Sequence, residues 1–394
     1  MHSDLPAPSA DALAHSDEFT ALLRAEIQAN GGAIPFSRYM ELCLYTPGWG
    51  YYSAGASKFG ASGDFVTSPE LGALFATTTA QALAPVFEQL GAQARMLELG
   101  GGSGAFAEGV LIALAARGAL PARYAILEPS ADLRQRQHAR LQAALPADVF
   151  ARVEWLDRPF DDEWDGVVFA NEVIDALPTP RFEMREGLVY EETVVLDGAG
   201  NLARGWQPAD VLMESAVRNV ERTLEEPLSS GYRSEVLLQL PYWIQAVMGG
   251  MQRGAMLFID YGYPRREYYQ HDRVDGTLRA FYRHRVHNDV FKWPGLQDLT
   301  ASVDFTALAE AGVGAGFDLA GYCTQASFLL GNGVTDVLEH ADARTDEIGR
   351  VRLRDELKRL TLPTEMGERF QVMGFSREVD FEPAFALGDL TWRL

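Results

Sequence analysis

The stretch that most limits what this chain can fold into is Arg95-Met96-Leu97-Glu98-Leu99-Gly100-Gly101-Gly102-Ser103-Gly104-Ala105-Phe106. Up to Leu99 it is a short apolar run interrupted by one acid, as a strand buried in a parallel sheet reads. Four of the five positions from Gly100 to Gly104 are glycine. From Ser103 on, Phe106, Val110, Leu111 and Leu114 recur at helical spacing. The expected order is strand, glycine turn, helix. Glycine lacks Cβ, so the chain can turn with positive φ and a ligand can approach the backbone closely. The following helix aims unpaired N–H groups at whatever lies over the turn. At the carboxyl end of a parallel strand, that geometry accepts a nucleotide-like ligand.

The residues around the turn narrow the ligand. A phosphate loop of the GxxxxGK[ST] kind needs a lysine and a hydroxyl, and the nearest lysines are Lys58 and Lys292. A GxGxxG fingerprint opened by Gly100 and Gly102 would need a third glycine where Ala105 stands. Glu98, two residues before the first glycine, would repel a pyrophosphate and attract an ammonium or sulfonium. These features favour S-adenosylmethionine (SAM) over NAD.

Downstream, the pattern alternates between strand and helix. Strands are expected at about 94–99, 122–128, 151–156 and 165–170, with helices at about 103–117 and 130–144. Such alternation predicts an α/β fold with a mostly parallel, Rossmann-like sheet. The second strand ends at Glu128, 24 residues after Gly104. An acid about 20 residues beyond the glycines takes both ribose hydroxyls in a βαβ nucleotide site, and a carboxylate accepts while a diol donates. The fourth strand runs into Asn171-Glu172 and then Asp175-Ala176-Leu177-Pro178. Strand ends of this kind are where α/β sheets place their chemistry. A short helix here would put Glu172 and Asp175 on one face. Residues 181–197 read as a hairpin around Glu186-Gly187. Gly254 to Asp260 reads as a fifth buried strand, Phe317 to Gln325 as a further strand, and Phe370 to Phe375 as the last.

The expected organisation is a disordered tail over 1–16, a helical cap region over 17–90, and a first core segment over 91–180. An insertion over 181–235 and a second core segment over 236–394 follow, with a helical insertion at about 325–363. A first helix is expected from Ser16 or Asp17 and a third from about Pro69 to Leu90. The loop from Phe59 to Glu70 is rich in Gly, Ser, Asp and aromatics, which favours a functional loop over a disordered one. A charged helical stretch at about 333–360 reads as a solvated face.

The formal net charge of −21 argues against a nucleic-acid groove, which needs a cationic footprint, and permits a basic protein partner. The two cysteines, Cys43 and Cys323, make neither a disulfide framework nor a zinc cluster, so no metal is expected. No apolar run is long enough to insert in a membrane. No targeting segment is visible in residues 1–17, so a cytoplasmic protein in a reducing compartment is expected.

Six segments in order resemble the MidA/NDUFAF7-like class I SAM-dependent methyltransferases. They are Leu44-Tyr45-Thr46-Pro47 with Gly50-Tyr51-Tyr52, Gly63 to Glu70, Glu98 to Gly104, Ala170-Asn171-Glu172 with Asp175 to Pro178, Ile259 to Tyr263, and Asp298-Leu299-Thr300 with Val303-Asp304-Phe305. The family usually has Pro after its first glycine and often Arg before the last, where this chain has Gly101 and Ser103. The resemblance implies a seven-stranded SAM-binding sheet whose last strand is antiparallel. It also implies that Thr67, Ser68, Pro69, Glu98, Gly100, Gly102, Gly104, Glu128, Asn171 and Glu172 bind the cofactor, which leaves as S-adenosylhomocysteine (SAH). Mitochondrial members are similar to arginine methyltransferases acting on a core subunit of respiratory complex I, which implies an arginine-bearing protein substrate.

Arginine is a poor nucleophile because its guanidinium stays protonated. Carboxylates must orient it and localise its charge. Glu172 and Asp175 are the catalytic candidates, with Asp64, Glu70 and Asp260 behind them. Tyr45, Tyr261 and Tyr263 are aromatics that could close over a cation. Two other readings stand beside this one: an assembly factor that binds SAM and docks a partner without turnover, and a small-molecule methyltransferase.

Overall fold

A computed structural model describes residues 5–53 and 67–394. The loop residues Phe59 to Val66, and with them Asp64, lie outside the described residues. The chain folds into two compact units interleaved in sequence.

One unit comprises residues 66–174, 240–262 and 305–394. Its elements are α1 (Ser68–Leu71), α2 (Ala73–Leu90), β1 (Arg95–Leu99), α3 (Ala105–Arg117), β2 (Arg123–Leu127), α4 (Ala131–Ala144), β3 (Val153–Leu156), β4 (Glu163–Asn171), α5 (Leu240–Met248), β5 (Gly250–Tyr263), α6 (Phe305–Gly314), β6 (Asp318–Thr324), α7 (Gln325–Gly331), α8 (Val334–Asp342), α9 (Glu347–Thr361) and β7 (Phe370–Arg377). Seven strands lie in the order β3-β2-β1-β4-β5-β7-β6. The first five are parallel, and β7 runs antiparallel to both β5 and β6.

The apolar runs of β1 and β4 are buried because helices cover both faces of a parallel sheet. Met96 and Leu97 pair with Val167 and Val168 in register, all without exposure. Phe106 of α3 stacks on Phe169 of β4 with ring centroids 3.8 Å apart. This contact seats the helix after the glycine turn directly on the sheet.

The expected helix from Pro69 to Leu90 is broken. α1 ends at Gly72, whose backbone is extended, and α2 starts anew. The cause lies in α9, where buried Glu356 accepts from the Leu74 N–H at 2.7 Å and fills the space a Cβ on residue 72 would need.

The other unit comprises residues 1–65, 175–239 and 263–304. Its first helix, Ala10–Ala29, starts before the expected Ser16 because the Ser9 hydroxyl caps it. The hairpin of Arg181–Arg185 and Leu188–Leu196 turns on Glu186 and Gly187, at φ 50° and 81°. Three more strands, Ala33–Pro35, Leu202–Pro208 and Arg233–Glu235, complete a five-stranded antiparallel sheet. A smaller sheet joins Arg279–Tyr282 to Arg285–His287 and Asp298–Thr300. Buried Arg181 anchors this unit through Glu192 at 2.5 Å, Glu235 at 2.9 Å and Asp275 at 3.1 Å.

Candidate active site

The glycine turn follows β1 as its sequence requires. Gly100, Gly102 and Gly104 take φ of 62°, 53° and 83°, a region L side chains rarely adopt. Gly100 N–H donates to the Leu127 carbonyl of β2 at 3.0 Å, and Gly104 N–H to the Gly101 carbonyl at 2.8 Å. Helix α3 begins at Ala105, two residues after Ser103, with Gly104 as its left-handed cap.

The two departures from the family pattern have local partners. A Cβ on residue 101 would come 2.8 Å from Ile126 Cγ2 and 3.2 Å from Gln137 Nε2. Here the space is taken by neighbours, so glycine fits and a ring would displace them. The Ser103 hydroxyl donates to Glu70 of α1 and accepts from Arg140 of α4 at 3.0 Å. Arg140 therefore brings a guanidinium to this corner from another helix.

Glu98 is buried within β1 and accepts from the Tyr124 hydroxyl at 2.8 Å. Burial pushes its carboxyl up to about 8, against the lowering effect of that hydrogen bond. Glu128 ends β2, buried to 3% exposure. Its Oε1 accepts from the Ser130 N–H at 3.0 Å and its Oε2 from Gln137 Nε2 at 3.2 Å. Burial raises it to about 7, and these donors pull it back down.

At the end of β4, Asn171 Nδ2 donates to Glu172 Oε1 at 3.2 Å. Among the described residues, the buried Asn171 Oδ1 has no hydrogen-bond partner. Glu172 sits at φ 54°, a left-handed conformation that is costly for a non-glycine residue. This backbone turn corrects the expected short helix: the left-handed residue cannot begin one, and residues 172–175 form bends and a turn. Glu172 belongs to the sheet-bearing unit and Asp175 to the other. Asp260 of β5 is committed to main-chain donors, Ile174 N–H at 3.1 Å and Tyr261 N–H at 2.9 Å.

Thr67, Ser68 and Pro69 open α1. Ser68 is fully buried and its hydroxyl donates to Gln325 at 3.0 Å, so its side chain is engaged inside the protein. Tyr261 packs edge-on against Phe370. Tyr263 and Arg273 both fall in the other unit, where the Arg273 guanidinium lies over the Tyr263 ring.

That other unit holds a group the sequence reading saw only in part. Tyr45 and Tyr52 stack at 5.6 Å, and the Tyr52 hydroxyl bonds both oxygens of buried Asp298 at 3.0 Å. Burial raises the Tyr52 hydroxyl well above its ordinary value, and the charges of Asp298 and, more weakly, Asp175 add to it. The Tyr45 hydroxyl donates to the Ala176 carbonyl at 2.8 Å, next to Asp175. Tyr52 and Asp298 lay inside the recognised segments, but nothing in the sequence showed that they meet. Among the described residues, no group of three His, Cys, Asp or Glu side chains is placed to hold a metal.

The cradle fits SAM on chemical grounds. Left-handed glycines keep the turn open to a ligand, Asn171 Oδ1 is a buried acceptor without a donor, and Glu128 retains lone pairs for a diol. Sheet order, antiparallel seventh strand and glycine turn together fix the class as a SAM-dependent methyltransferase of the class I type. Within that class the chain belongs to the Methyltransf_28 family of S-adenosyl-L-methionine-dependent methyltransferases, whose model matches residues 78–323. A COG1565 superfamily member from Burkholderia thailandensis, solved with S-adenosyl-homocysteine bound, is 44% identical with a TM-score of 0.92. The match covers 99% of this chain and 100% of that one. The Drosophila melanogaster mitochondrial protein named protein arginine methyltransferase NDUFAF7 homolog is 29% identical over 89% of this chain and 83% of its own. The Danio rerio protein arginine methyltransferase NDUFAF7 is 28% identical over 86% and 82%.

Proposed function

We propose that this methyltransferase modifies an arginine in a protein segment, a subunit of the respiratory complex I type being the substrate the resemblance implies. The observation that carries the reading is the group of buried acids and tyrosines: Asp298 held by Tyr52, Asp175 near enough to act on the same hydroxyl, and Tyr45 stacked on Tyr52. Carboxylates flanked by aromatic faces suit a flat cation, which needs both charge-assisted bonds and stacking. The names of the relatives support the same substrate class.

The cofactor supplies an electrophilic methyl on a sulfonium. The turn at Gly100, Gly102 and Gly104, with Thr67 to Pro69, Glu98 and Asn171, would hold it, and Glu128 would accept from the ribose hydroxyls. Glu172 and Asp175 would orient the acceptor, localise its charge and take up the proton released as the N–C bond forms and the S–C bond breaks to leave SAH. Holding the partners in attack geometry is worth up to about 7–11 kcal/mol of the barrier.

The test is incubation with radiolabelled SAM and an extract from cells lacking the protein, followed by mass spectrometry of the labelled band. Methylarginine in one protein band is the expected result. Label confined to small molecules, or SAH binding with no label transferred, overturns the arginine reading. Glu172→Gln should lower kcat by about 100-fold or more, the range for loss of a positioned acid or base, with SAH affinity retained within a few-fold.

A further inference from the structure

Gln137 lies mid-way along α4, in a stretch that the sequence marks only as helical. Its side chain is fully buried and every polar end of the amide is used. Nε2 donates to the Gly102 carbonyl at 2.9 Å and to Glu128 Oε2 at 3.2 Å. Oε1 accepts from the Trp155 indole at 2.8 Å. An indole N–H can only donate. Trp155 therefore fixes which end of the amide is oxygen and turns the NH2 group toward the glycine turn and the acid. A flipped amide would set its oxygen against a carbonyl and a carboxylate while facing a donor with a donor.

We infer that Gln137 is the positioning residue of the cofactor site: oriented by Trp155, it pins the glycine turn and keeps the Glu128 carboxylate ionised and aimed for the ribose hydroxyls. This rests on the reading of Glu128 as the ribose acid. Each Glu128 oxygen has one protein donor, Ser130 N–H on one side and Gln137 on the other. A carboxylate has about four acceptor sites, so the bonds leave room for a diol.

The charged surroundings come from every neighbouring element. Glu98 of β1 lies near, held by Tyr124 of β2. Arg134 of α4 donates to the Glu128 main-chain carbonyl and pairs at 2.8 Å with Asp157, beyond β3. His138 of α4 packs its ring 5.3 Å from Trp155. Removing the Gln137 donor strips Glu128 of a hydrogen bond that favours its charged form.

The experiment is calorimetric titration of the full chain with SAH from pH 5.5 to 9. Wild-type affinity should fall as pH drops through about 7, where Glu128 protonates. In Gln137→Met the midpoint should rise by about one unit, so affinity at pH 7 drops several-fold, up to about tenfold, and recovers by pH 9. Gln137→Glu, which sets a second carboxylate against the first, should shift it further. An unchanged Gln137→Met curve, or a loss equal at every pH, overturns the inference. Should Gln137→Met fail to fold by circular dichroism, Trp155→Phe decides, since it frees the amide without removing it. A smaller upward shift supports the role and an unmoved midpoint overturns it. Glu128→Gln separates the two readings. If it binds SAH like wild type at all pH values, the ribose role fails. If it loses both affinity and pH dependence while Gln137→Met shifts nothing, only Gln137 is wrong.

Discussion

Glu98 shows what one residue's burial does to the whole chain's pH response. Its carboxyl is raised to about 8 inside β1, far above the ordinary value it regains on unfolding. Between those two values the folded state binds more protons than the unfolded one, so this group's stability contribution is full at acid pH and declines as pH rises to about 8. The slope is at most about 1.4 kcal/mol per pH unit for one group. Glu98→Gln, which keeps a partner for the Tyr124 hydroxyl, should flatten the fall in urea-unfolding free energy between pH 5 and 8. An unchanged slope would place the pH dependence elsewhere. The residue scale is also where the sequence was most and least informative. The left-handed turn at Gly100, Gly102 and Gly104 was legible because only glycine enters that region freely. Gln137 and Tyr52 were not, because an amide in a polar helix or a tyrosine in an aromatic loop looks the same whether or not it meets an acid 9 or 246 residues away.

Whole elements were legible where their pattern is local. β1 to β4 with α3 and α4 fall within a few residues of the spacing argument, since an apolar run or a helical stripe is written into adjacent positions. The break between α1 and α2 was not legible, because its cause sits in α9. That helix reads as a solvated face of alternating charge, and most of it is one, yet Glu356 and Leu360 are buried. Glu356 serves α2 as a capping acid supplied from elsewhere in the chain, accepting from Leu74 N–H where the first turn has no cap of its own. Glu356→Ala should cost about 1–2 kcal/mol in unfolding free energy, the scale of a lost helix cap. Gly72→Ala should cost a similar amount, because its methyl would collide with the same carboxylate. A loss in neither variant would mean the two helices are held apart by something other than Glu356. Since α1 carries Thr67 to Pro69, both variants should also weaken SAH binding.

At the scale of the molecule, the chain interleaves two units, and only one was legible as a unit. The sheet-bearing one announces itself through strand–helix alternation. The other is assembled from three separated segments whose joins are long-range pairings, such as Ala33 with Val195 or Arg233 with Asp275. Nothing near Ala33 in sequence specifies Val195, and Leu202–Pro208, a full strand on Leu188–Leu196, lies in the insertion where no strand beyond the hairpin is expected. Each unit has its own buried clusters, Phe106 and Phe169 in one, Phe36 and Tyr39 in the other. A ligand that binds only folded protein stabilises what it touches by about 2.7 kcal/mol at a hundred times its Kd. The proposed SAM site belongs to the sheet-bearing unit, so hydrogen exchange with saturating SAH should slow most at residues 100–104, 126–130, 134–138 and 169–172. Those amides should report a protection gain close to the binding free energy wherever their exchange requires the site to open. Protection that appeared instead in the antiparallel sheet of residues 181–235, with the glycine turn unchanged, would move the cofactor away from Gly100 to Gly104. The roles argued for Glu128, Asn171 and Gln137 would go with it.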